Sequence, residues 1–66
     1  MQRFTVELIC DGKAVKRAVI LAENVVEAAK VWGPVTIPFG DEPDMGEWIR
    51  VTHPGGSTTT WFEQDR

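Results

Sequence analysis

Sixty-six residues leave room for a single hydrophobic core, and the one cysteine, Cys10, excludes a disulfide within the chain. With 42% hydrophobic and 26% charged residues, the composition is that of a globular domain rather than a disordered segment. A formal net charge of -3 and a pI near 4.9 weigh against a phosphate-binding surface spread over the molecule.

The chain has no apolar stretch of membrane-spanning length, and Met1-Gln2-Arg3 is not the start of a secretory signal. With one cysteine and no disulfide, the expectation is a soluble protein of a reducing compartment, the cytoplasm. So short a chain needs additional stabilisation, and three tryptophans and three phenylalanines offer it through the apolar area each ring removes from water.

The first predicted element is a β-strand. Phe4, Val6, Leu8 and Cys10 alternate with Arg3, Thr5 and Glu7, as a half-buried strand requires. Ile9 breaks the alternation and implies cover on the second face near that end. Asp11-Gly12 follows, a dipeptide suited to the positive φ angles of a tight hairpin turn. The run from Ala14 to Ala22 then completes a β-hairpin over residues 1–22. Val15, Val19 and Leu21 share one side of it with Arg17, and Ile20 and three alanines take the other. That mixture predicts either a central strand covered on both faces or a bulge near Arg17.

A helix is expected to begin at Asn24, a good N-cap with Glu27 at the capping-box spacing. Val25, Ala28, Ala29 and Trp32 define its apolar stripe, and Gly33-Pro34 ends it. From Pro34 to Gly46 there is no helical period. Val35 to Phe39 reads as a short extended piece held at an edge by Pro38, and Asp41-Glu42-Pro43-Asp44 as an exposed acidic turn. A second hairpin follows, with Trp48 to His53 and Thr58 to Glu63 as strands and Pro54-Gly55-Gly56-Ser57 as the turn. Ile49 and Val51 share one face, and Trp48, Arg50 and Thr52 share the other. The predicted fold is therefore one α+β domain over residues 1–66, two hairpins in ββαββ order forming an antiparallel sheet with one short helix packed on one face. The opposite face is left open.

Catalytic groups are scarce. His53 is the sole histidine, at a strand end, and Cys10 lies on the inward side of the first strand, where a cysteine is ordinarily an inert core residue. Ser57 sits in a turn with no base beside it. Asp41, Glu42, Asp44 and Glu47 lack the spacing of a calcium loop, and one Cys with one His falls short of a zinc site. Gly55-Gly56 belongs to a hairpin turn and not to a phosphate loop. The expectation is a non-enzymatic protein without cofactor or metal.

Charge divides unevenly along the chain. Residues 1–30 hold five basic and four acidic side chains, net +1; residues 31–66 hold two and six, net -4. The acidic excess falls in the long loop and second hairpin, with Glu63 and Asp65 near the end, and would steer the protein toward a basic surface. The expected contact set is Asp41, Glu42, Asp44, Glu47, Trp48, Trp61 and Glu63, with Trp48 or Trp61 as an exposed aromatic anchor. An alternative is a small nucleic-acid-binding module using Lys13, Lys16 and Arg17 with the tryptophans of the open face, against which the acidic balance argues. A structural or adaptor homodimer is a third reading, so the protein is expected as a monomer or a homodimer.

With Asp11-Gly12, the helix Asn24 to Trp32, the acidic run Asp41 to Glu47 and the turn at Pro54-Gly55-Gly56, the chain resembles small proteins of phages and mobile elements. Among these it looks like some anti-CRISPR inhibitors. The resemblance rests on architecture and charge across the whole chain. It implies an inhibitor in the host cytoplasm that covers a basic, nucleic-acid-binding surface of a CRISPR effector complex.

Overall fold

The computed structural model describes residues 1–64, so Asp65 of the acidic chain end lies outside the described residues. The elements in order are β1 (Gln2–Cys10), β2 (Lys13–Ala22), α1 (Val25–Ala29) with a 3₁₀ turn over Lys30–Trp32, β3 (Val35–Thr36), β4 (Glu47–Thr52) and β5 (Thr59–Gln64). All pairings are antiparallel, in one five-stranded sheet of order β2-β1-β4-β5-β3. The α+β class agrees with expectation, but the ββαββ order does not match fully. A two-residue third strand pairs Val35 with Gln64 and Thr36 with Glu63 at the β5 edge. It stops well short of Phe39, because Pro38 has no N–H to extend a ladder.

Local chemistry explains the connections. Asp11 and Gly12 both have positive φ, at 49° and 85°, and close β1 onto β2 in the expected two-residue turn. At the second hairpin the Gly56 N–H donates to the His53 carbonyl (3.0 Å), with Pro54 and Gly55 central and Gly55 at φ 96°. Pro then Gly at those positions is the type II arrangement. Asn24 caps α1 by accepting the Glu27 N–H at 2.9 Å. The helix is shorter than its apolar stripe suggests, since the last turn tightens to 3₁₀ before Gly33, whose N–H donates to the Lys30 carbonyl.

Register sorts the side chains onto two faces. Phe4, Val6 and Leu8 of β1 lie with Ile49 and Val51 of β4 and Phe62 of β5 under the helix, where Ala28 and Ala29 are buried and Val25, Val26 and Trp32 pack against them. This is the core. The predicted stripe of the helix therefore meets the predicted inward face of β1.

β2 is an edge strand, not a central one. Its register steps from Leu8–Lys16 to Ile9–Ala14, leaving Val15 as the extra residue of a bulge two positions from Arg17. The bulge turns Ala14 to the open face, opposite Ile9, away from the alanines with which a plain alternation would group it. Val15, Val19 and Leu21 are all exposed. No helix of the described residues is long and apolar enough to cross a membrane.

Candidate functional site

The open face is not uniformly open. Trp48 pairs with Ile9, and Arg50 lies opposite both Glu7 and Trp61, so Ile9, Trp48, Arg50 and Trp61 gather at one end of that face. Trp48 and Trp61 meet edge to face, with ring centroids 6.0 Å apart and planes at 82°. The Arg50 guanidinium carbon sits 5.2 Å from the Trp48 ring centroid, within cation–π range. The result is that Trp48 and Ile9 are 3% and 2% exposed although they stand on the face away from the helix. The cover predicted from Ile9 is real, and Trp48 supplies part of it.

The segment between β3 and β4 is held beside this cluster at three points. Trp61 Nε1 donates to the Gly40 carbonyl at 3.2 Å, and Arg50 Nε lies 3.8 Å from Glu42 Oε2. Where the loop enters β4, the Gly46 N–H donates to Asp11 Oδ1 (2.7 Å) while the Asp11 N–H donates to the Gly46 carbonyl (3.0 Å). A loop anchored at its middle and its end presents its side chains in a restricted arrangement. Those side chains are unusual. Ile37, Phe39 and Met45 are exposed large apolar residues, Phe39 fully so, and they flank exposed Asp41, Glu42 and Asp44.

The sequence-predicted contact residues separate into three groups. Asp41, Glu42 and Asp44 stand exposed on the loop, and half-buried Trp61 lines a shallow groove with Gly40, Asp41, Glu42, Thr59 and Thr60. Glu63, exposed and two residues on from Trp61, falls on the same face of β5. Trp48 and Glu47 do not join them. Trp48 is buried, so it serves as a support beneath the site and not as an exposed anchor; no base can stack on it. Glu47 pairs with Cys10 and falls on the helix-covered face.

Ile37, Phe39 and Met45 were not legible as a surface. Their signal is present in the sequence only as apolar residues in a stretch of three prolines and three glycines (33–46) that has no strand or helix period. Without a period, nothing local tells whether such residues are buried or displayed.

The groups that would carry chemistry stay apart. His53 Nε2 is 2.9 Å from Thr60 Oγ1, and its ring meets Phe4 edge on, near the start of β1. Cys10 ends that strand, about 20 Å away at the usual rise per residue, so the two form no nucleophilic pair. Ser57 is exposed in the turn. Among the described residues no three of His, Cys, Asp or Glu converge in a way that would hold a metal ion.

The cations of the first hairpin also divide. Lys16 lies on the helix side, 5.9 Å from the Trp32 ring centroid, whereas Arg17 stands opposite Glu7 in the strand register, on the open face. They make no continuous basic stripe. Comparison with protein-family models, with curated proteins and with solved structures finds no match to this chain.

Proposed function

We propose that the chain is a non-enzymatic binding protein that docks the loop from Ile37 to Met45 on a basic surface of a protein partner. The observation that carries this reading is the fully exposed Phe39, with Ile37 and Met45, set among Asp41, Glu42 and Asp44 on a loop tied down by Trp61, Arg50 and Asp11. Exposing three large apolar side chains costs solubility without return unless a partner buries them. An aromatic anchor next to charged residues has the composition of a contact site, and restraint of the loop before binding lowers the entropy lost on docking. The carboxylates fit a cationic counter-surface, and cationic surfaces on cytoplasmic proteins commonly hold nucleic acid. The function that follows is inhibition by occupying such a surface. A nucleic-acid-binding face of a CRISPR effector complex, as the resemblance above implies, is one candidate of that chemistry.

The test uses the intact chain as bait for lysate proteins, with three variants chosen to spare the fold. Phe39→Ala removes the anchor, and Asp41→Lys with Asp44→Lys reverses the loop charge while leaving Glu42 on Arg50. Ser57→Ala, in the opposite turn, is the control. A captured basic protein whose nucleic-acid binding is blocked by the wild type and the Ser57 variant, and by neither loop variant, is the expected result. Equal capture by all four chains sinks the loop as the contact surface.

A further inference from the structure

The open edge of β2 is the second feature of the surface that the fold leaves without a use. β2 has β1 on one side and no strand on the other among the described residues, so one row of its backbone N–H and C=O groups faces outward. The two halves of this strand differ. Its first half carries the features that discourage edge pairing: the bulge at Val15 and the cations Lys13, Lys16 and Arg17. The second half, Ala18-Val19-Ile20-Leu21-Ala22, has no charge, no proline and no break in register, and Val19 and Leu21 are 60% and 62% exposed. Natural edges are seldom left in this state.

We infer that this half of β2 pairs with itself in a second copy of the chain, antiparallel and centred on Val19, to make a dimer with one continuous ten-stranded sheet. The choice of a second copy rests on how the charges fall in that register. Residues directly opposite must share a face, which requires an even sum of residue numbers around a two-fold axis normal to the sheet. Centring on Val19 sets Val19 against Val19 of the second copy and Arg17 against Leu21 on the open face. On the helix-covered face it sets Ala18 against Ile20 and Lys16 against Ala22. No charge opposes a like charge.

Glu23, one residue beyond the strand, then lies diagonal to Arg17 of the second copy, within reach of a long side chain, and the symmetry repeats this contact. Neither Arg17 nor Glu23 takes part in an ion pair within the chain among the described residues. The surface is thus self-complementary in polarity and charge. A chain of 66 residues also gains the core area that its size denies it. The loop from Ile37 to Met45 starts from β3 at the other edge, is held at Gly40 by Trp61 of β5 and ends at the β1–β2 turn, so pairing along β2 residues 16–22 does not use it. The inference does not depend on what that loop binds.

The test is light scattering on the full chain over about two decades of concentration, with hydrogen exchange on the same samples. The wild type is expected to reach dimer mass, and amide exchange over residues 17–21 to slow as it does. Val19 is exposed, so Val19→Lys and Val19→Glu should each keep the wild-type circular dichroism and remain monomeric. Mixed in equal amounts they should recover the dimer, since opposite charges now face each other across the axis. A wild type that stays monomeric overturns the inference. So does a Val19→Lys chain that still dimerises, a mixture that fails to, or a dimer whose amides at 17–21 exchange as fast as in the monomer.

Discussion

Asp11 and Gly46 exchange two hydrogen bonds across 35 residues of sequence, the Asp11 N–H donating to the Gly46 carbonyl and the Gly46 N–H to Asp11 Oδ1. The turn that closes the first hairpin thereby also fixes the point where the acidic loop becomes β4. One residue serves two purposes: its backbone adopts φ 49° for the turn, and its carboxylate receives the loop.

Asp11→Ala is expected to lower unfolding free energy by about 1–2 kcal/mol, from the lost charge-assisted hydrogen bond and the strain of a positive φ on alanine. Asp11→Asn should cost less, because asparagine tolerates that φ and retains an acceptor oxygen. Urea titrations of the two variants beside the wild type measure the difference. Equal losses would mean that neither the carboxylate nor the turn conformation matters as described.

Loop restraint should respond to Trp61 far more than to Glu42. Trp61→Phe deletes the donor to Gly40 but keeps an aromatic ring near Trp48, so global stability falls by only about 1 kcal/mol while the loop loosens. Limited proteolysis after Phe39 is the readout, and it should accelerate severalfold. Glu42→Gln breaks an ion pair that is 3.8 Å long and substantially exposed, and should change stability by about 0.5 kcal/mol or less.

The core is small enough that one residue decides the fold. Ile49 is fully buried at the centre of the helix-covered face. Ile49→Ala should cost about 2–5 kcal/mol, comparable to the whole stability of so short a domain, and give a largely unfolded chain by circular dichroism. Ile49→Val should cost about 0.5–1.5 kcal/mol and remain folded.

Asn24→Ala removes the acceptor for the Glu27 N–H and should destabilise by about 1 kcal/mol. Asn24→Asp should be neutral or slightly stabilising, since a negative side chain at a helix start retains the cap. Thermal melts of the pair separate the cap from any contact specific to the amide.

The parts of the fold that were legible are those whose physics is local. Positive φ at Asp11-Gly12, the side-chain cap at Asn24 and the Pro54-Gly55 turn each depend on a few adjacent residues, and each is found where the sequence predicts it. Alternation in β1 likewise announces its inward face. The exposed acidic residues Asp41, Glu42 and Asp44 were legible as well, because charge next to proline has no route into a core. Trp48 departs from the expectation of an exposed anchor for a nonlocal reason. Its strand face follows from alternation, but its burial depends on Ile9, Arg50 and Trp61, which come from two other places in the chain and from its own strand.

By itself, then, the sequence determined where the chain turns, caps and alternates, that a single core exists, and that the acidic charge lies in one half. These follow from sterics and hydrogen bonds acting over a few residues. Only the tertiary structure decided that β4 lies on the other side of β1, that β2 is left at an edge with Val19 and Leu21 exposed, and that the loop displays Phe39 while Trp48 lies beneath. Such choices are made by burial and register between segments tens of residues apart, where no short-range preference reaches.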